Sequence, residues 1–157
     1  MKLNIGITEK DLKSSSSMLA IILSNEMTLY VKTRKAHWNV TGENFMELHK
    51  LFEDQYKQTE EVIDEVAERI GKLGEKTIGT MQEFSKQASI KESPGIYSSS
   101  EDILKELLND HETIIIQLRK GVENCTEDGK DAGTADLLTG LMEQHETTAW
   151  VLRRYLN

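Results

Sequence analysis

The chain has 157 residues, 38% of them hydrophobic and 29% charged, with a formal net charge of −8. That length suits one domain whose core needs no staples, and a single cysteine, Cys125, excludes an internal disulfide and fits a reducing cytosol. An acidic surface repels nucleic acid unless its bases cluster. The longest apolar run near the start, "MLAIIL" at 18–23, is too short to span a bilayer and lacks the basic leader of a signal peptide, so the expected location is the cytoplasm.

One proline, few aromatics and long stretches of Leu, Ile, Glu and Lys predict an all-α chain. The first helix is expected from Thr8, where "TEKD" resembles a capping box with Asp in place of Glu, to about Val40. Its inward residues are Leu12, Leu19, Ile22, Met27, Tyr30 and Val31. The run "SSSS" at 14–17 reads as a small-residue face that admits a close neighbour. Gly42 closes a hairpin. A second helix covers about 43–72, with Phe45, Leu48, Phe52, Tyr56, Ile63, Val66 and Ile70 inward and Gly71 and Gly74 ending it. Residues 75–99 form a long connection in which "TMQEFSKQA" is a candidate short helix. A third helix follows the serines at 98–100 and runs to about 123, "NCTEDGKDAGT" is a loop, and a fourth helix spans about 133–155. Two hairpins joined by a long crossover make a four-helix bundle of ferritin-like connectivity, a single domain over 1–157.

The second helix carries the chemistry. With His49 at zero and about 100° per residue, Glu53 falls near 40°, Asp64 near 60° and Glu68 near 100°, flanking an apolar stripe centred near −60°. Lys50 and Lys57 share part of that arc. The pairs His49/Glu53 and Asp64/Glu68 are centred 15 residues apart, about 22 Å along a helix, too far for one ion to bridge. Two copies of the helix packed antiparallel about a two-fold axis near Gln58 and Thr59 remove the difficulty. Each first half then faces the other chain's second half, and two complete sites form per dimer. His37 joins through the turn, about one helical turn from His49. Two imidazoles and three carboxylates drawn from two chains suit iron, with zinc or manganese as substitutes.

The segment "HWNVTGENFMELHKLFEDQYKQTEEVIDEVAERI", 37–70, and the later "GTADLLTGLMEQHETTAW" resemble the Dps family of mini-ferritins. The resemblance spans essentially the whole chain and implies a four-helix subunit with a short helix between the second and third, assembled as a hollow dodecamer of two-fold dimers. It implies ferroxidase centres at subunit interfaces, each holding two iron ions between His37, His49 and Glu53 of one subunit and Asp64 and Glu68 of its mate. Glu53 stands where the family often has Asp. Fe(II) as substrate, hydrogen peroxide as preferred oxidant and storage of a ferric mineral are implied by the same resemblance. So is a possible acidic pore near Asp131 and Asp136, beside the alternative that these acids only favour the start of the last helix. Trp38 is expected to pack at the hairpin, although the family places this aromatic beside the centre. A bundle-internal site of the Glu-x-x-His kind is not expected, because the residues three before His37, His49, His111 and His145 are Arg34, Met46, Leu108 and Met142. His111 and His145 are expected at the surface or in structural roles. Only Lys2 and Lys10 precede the first helix and "RRYLN" ends the chain, so DNA binding is expected to be weak or absent. The alternative reading is a non-catalytic, nucleoid-coating shell whose interfacial metal is structural.

Overall fold

The computed structural model describes residues 3–128 and 130–156, Asp128 by its backbone alone; Lys2 lies outside that range. The described residues form five α-helices and no strand: α1 Glu9–Asn39, α2 Phe45–Lys72, α3 Met81–Gln87, α4 Ser100–Glu123 and α5 Ala132–Tyr155. A π-helical turn, Asn124–Asp128, continues α4 where a loop was expected. None of these helices is long and apolar enough to cross a membrane.

Side-chain caps set the starts. Thr8 accepts the amide of Asp11 at 3.2 Å, Ser99 accepts that of Asp102 at 3.1 Å, and Thr80 with Glu83 forms a complete capping box at the short helix α3. Gly42, at φ 110°, reverses the chain between α1 and α2 in a conformation L side chains rarely adopt.

The helices pack as two hairpins, α1 with α2 and α4 with α5, and α1 also lies against α3 and α4. Between them Leu19, Leu23, Leu29, Phe52, Leu107, Ile114, Leu118 and Leu138 are sealed from solvent. Of the residues placed inward from sequence, Met27 and Ile63 pack on the core's margin. Phe45 does not go inward and remains 39% exposed. It opens α2, where its ring lies 5.1 Å from that of His49. Ser15 and Ser16 are buried within the serine run and Ser14 and Ser17 are not, so the small face is two residues wide. The same economy of volume recurs at Gly121, where a Cβ would lie 2.8 Å from Leu138 Cδ1 and 3.0 Å from Met18 Sδ.

The long connection is tied to α1 by buried polar groups. Asn25 Oδ1 accepts the amides of Ser89 and Ile90. Lys32 donates to the Lys91 carbonyl at 2.8 Å and pairs with Glu106 at 3.1 Å and Asp110 at 2.5 Å.

Candidate metal centre

The α1–α2 turn sets two histidines face to face. His37 lies in the last turn of α1 and His49 in the second turn of α2; their rings stack with centroids 3.7 Å apart and planes 22° from parallel. His37 Nδ1 is 2.7 Å from the His49 carbonyl and His49 Nδ1 is 2.9 Å from the His37 carbonyl. A carbonyl only accepts, so both Nδ1 atoms carry the proton and donate. The His37 carbonyl, at a helix end, lacks an intrahelical partner and finds one here. With Nδ1 protonated, a ring in its neutral form presents an Nε2 lone pair, the tautomer that binds metal, and the reciprocal bonds hold the rings in place. The Tyr56 ring meets His37 edge-on at 5.4 Å, and Phe45 lies 5.1 Å from His49.

Glu53 is one turn further along α2. It is gripped by Lys57 and lies 3.8 Å from Lys50. The Lys57 hydrogen bond first, then the charges of Lys50 and Lys57, hold its carboxyl below the usual range, with His37 adding a smaller pull. Asp64 is exposed, and Glu68 is exposed and paired with Lys72 at 2.9 Å. The fold thus brings His37, His49 and Glu53 to one end of α2 and leaves Asp64 and Glu68 towards the other. Among the described residues of one chain, no three His, Cys, Asp or Glu side chains are grouped to hold a metal ion. Thr59, placed with Gln58 on a possible two-fold axis, turns inward and donates its hydroxyl to the Gln55 carbonyl at 2.9 Å; Gln58 alone of that pair faces outward.

One expectation needs correction. Trp38 does not pack at the hairpin: it is 66% exposed, with the Arg34 guanidinium 5.7 Å from its ring, and Phe45 and Met46 are exposed too. Of the two readings of Asp131, the structure agrees with the start of the last helix, where its side chain caps α5. Asp131 is 1% exposed, accepts the amide and hydroxyl of Thr134 at 3.0 and 2.6 Å, and pairs with Arg69 at 2.7 Å. Asp136 is exposed. Of the two roles expected for His111 and His145, surface or structural, the structure agrees with the second: each is 4% exposed and they lie together with Glu26 in the bundle's interior. The signal for all three buried groups is position: each falls on its helix's apolar stripe, Glu26 between Leu23 and Leu29, and His111 between Leu107 and Ile114.

A ferritin-like domain model matches residues 17–157. A low temperature-induced protein of Nostoc is 41% identical over 99% of this chain and 87% of its own length. A Bacillus anthracis "DNA protection during starvation protein 2" is 36% identical over 82% of this chain and 87% of its own. Among solved structures, the Dps protein of Vibrio cholerae O1, described as one of the ferritin-like diiron-carboxylate proteins, superposes with a TM-score of 0.92 at 30% identity, covering 100% of this chain and 98% of that one. DpsC from Streptomyces coelicolor superposes with a TM-score of 0.95 at 26% identity, covering 100% and 91%. On these grounds the chain belongs to the ferritin-like proteins, within the Dps family.

Proposed function

We propose that the protein is a ferroxidase and iron store, oxidising Fe(II) with hydrogen peroxide at centres shared between two subunits. The observation that carries this reading is the His37/His49 pair, each ring holding its Nδ1 proton on the other's backbone and leaving an Nε2 lone pair for a metal. Glu53 of the same chain completes one half of a centre, and Asp64 and Glu68 of a second copy supply the other. Exposed Trp38, Phe45 and Met46 beside the half-site support contact with another protein surface, since apolar groups of this size at one end of a hairpin gain by being covered.

Iron is the substrate. Carboxylates hold Fe(III) more strongly than Fe(II), so the ligand set favours oxidation. Two ferrous ions, one peroxide and two protons give two ferric ions and two waters, a two-electron step that bypasses hydroxyl radical. The ferric product is stored as mineral inside a closed homo-oligomeric shell, a dodecamer by family likeness. This chemistry accounts for DNA protection of the kind in the relatives' names without tight DNA binding, and the net charge of −8 supports the latter being weak. The buried, free Cys125 supports a reducing, cytoplasmic setting.

The test is anaerobic Fe(II) loading followed by peroxide, with ferric absorbance recorded for wild type, His37→Ala and Asp64→Ala. Each variant is expected to oxidise iron at least about tenfold more slowly, the usual cost of losing a metal-holding group. Equal rates in all three remove the centre.

A further inference from the structure

Behind the outer face of α2, three titratable side chains meet in the bundle's interior. Glu26 of α1 is completely buried, and His111 of α4 and His145 of α5 are each 4% exposed. His145 Nε2 lies 2.9 Å from Glu26 Oε1, and His111 Nδ1 lies 2.8 Å from His145 Nδ1. The two ring centroids are 5.0 Å apart. The Nδ1 atoms therefore face each other between the rings, and His111 Nε2 is turned away on the far side, where it has no hydrogen-bond partner. The triad joins the two hairpins, since Glu26 belongs to the first and both histidines to the second.

Two ring protons satisfy these contacts. One sits on His145 Nε2 and goes to the Glu26 carboxylate; the other lies between the two Nδ1 atoms, where one ring donates and the other accepts. A third ring proton has two places to go. A second between the Nδ1 atoms sets two N–H groups head-on across 2.8 Å. One on His111 Nε2 makes a buried donor with no acceptor. The surroundings offer no relief. The cavity beside the triad measures about 10 Å³, and its other walls are the uncharged Gln55, Gln58, Thr59, Val62, Gln144 and Thr148; that is room for one water at most. Asp110, next to His111 on α4, is engaged by Lys32 at 2.5 Å. Burial first, then His145, push the His111 pKa well below its ordinary value.

We propose that Glu26, His145 and His111 form an acid-operated latch between the hairpins, closed while the two rings share two protons and forced open when acid charges both. Unfolded histidines titrate at about pH 6.5. The folded His111 value is depressed, so the stability it carries is complete above the unfolded value and drains as pH falls from there towards the folded one. For that one proton the unfolding equilibrium shifts by up to about tenfold per pH unit. His37 and His49 differ, because their Nδ1–H groups rest on carbonyls and charging the rings breaks neither bond.

The test uses the full, metal-free chain, with Tm and unfolding enthalpy recorded between about pH 7.5 and about pH 5, which together give the protons taken up on unfolding. His111→Gln keeps an amide donor for His145 Nδ1 and has no proton to gain. At about pH 5.5 it is expected to take up about one proton per chain fewer than wild type, whatever its absolute Tm. Hydrogen–deuterium exchange, corrected for the intrinsic pH dependence of amides, is expected to rise on acidification first in the segments that carry Glu26, His111 and His145, and to rise less in His111→Gln. Equal proton uptake by the two proteins overturns the proposal, as does exchange that rises first elsewhere while these segments stay protected. Both measurements are made without iron, so the latch and the ferroxidase reading can fail separately.

Discussion

At the scale of single residues, the proposed half-site depends on what its side chains do in the metal-free chain. His37 and His49 spend nothing on reorganisation, because their Nδ1 protons already rest on carbonyls. Glu53 is less free, since Lys57 and Lys50 occupy it. Its folded pKa lies below the unfolded one, so these ion pairs favour the fold above the ordinary carboxylate range and lose that effect as pH falls through the Glu53 value. Lys57→Ala is expected to raise the Glu53 pKa towards its ordinary value in a carbon-detected NMR titration and to tighten Fe(II) binding by releasing a competitor. An unmoved titration, or weaker iron binding, contradicts that account. His37, His49, Glu53, Asp64 and Glu68 were legible as candidate ligands because ligand types at helical spacing on one flank are visible in one dimension. The meeting of Glu26, His111 and His145 was not legible, because a polar residue on an apolar stripe reads the same whether it meets solvent at a bundle's end or three other helices at its middle.

At the scale of elements, one ion pair joins two helices. Arg69, next to Glu68 on α2, donates Nε–H to Thr134 Oγ1 at 2.8 Å and pairs with Asp131 at the start of α5. Gly133 leaves room for it: a Cβ there would lie 2.9 Å from the guanidinium. Burial raises the Asp131 pKa, but Thr134 and Arg69 outweigh it and leave it lowered. The tie therefore holds above the ordinary aspartate range and fails as pH drops through the folded value. Asp131→Ala removes a cap and leaves Arg69 unpaired, an expected loss of about 2–4 kcal/mol, read as a fall in Tm of the metal-free protein of about 2–4 °C for each kcal/mol. Gly121→Ala, with Leu138 and Met18 in the way, is expected to cost about 1–3 kcal/mol by overpacking. Thermal unfolding by circular dichroism checks both, and no change in Tm for either contradicts the packing described. Helix starts were legible from Thr8, Thr80 and Ser99 because a cap is a local event. The anchoring of the 73–99 connection by Asn25 and Lys32 was not, because those bonds cross more than fifty residues of chain.

At the scale of the whole molecule, one subunit is a well-packed bundle with His37, His49 and Glu53 towards one end of α2, Asp64 and Glu68 further along the same helix, and exposed Trp38, Phe45 and Met46 at the hairpin. The bundle was legible from periodicity and loop lengths. The proposed pairing with a second copy rests on a distance, since residues about four turns apart on one helix cannot close on each other. The most direct measurement is complementation. His49→Ala and Asp64→Ala chains are each at least about tenfold slower than wild type in peroxide-driven iron oxidation on the account given. Co-assembled in equal amounts, a mixed two-fold dimer pairs an intact His49 with an intact Asp64 at one of its two centres, so about a quarter of wild-type activity returns. Activity that stays at the level of the separate variants, with mixed assembly verified by mass spectrometry, contradicts a centre shared between subunits.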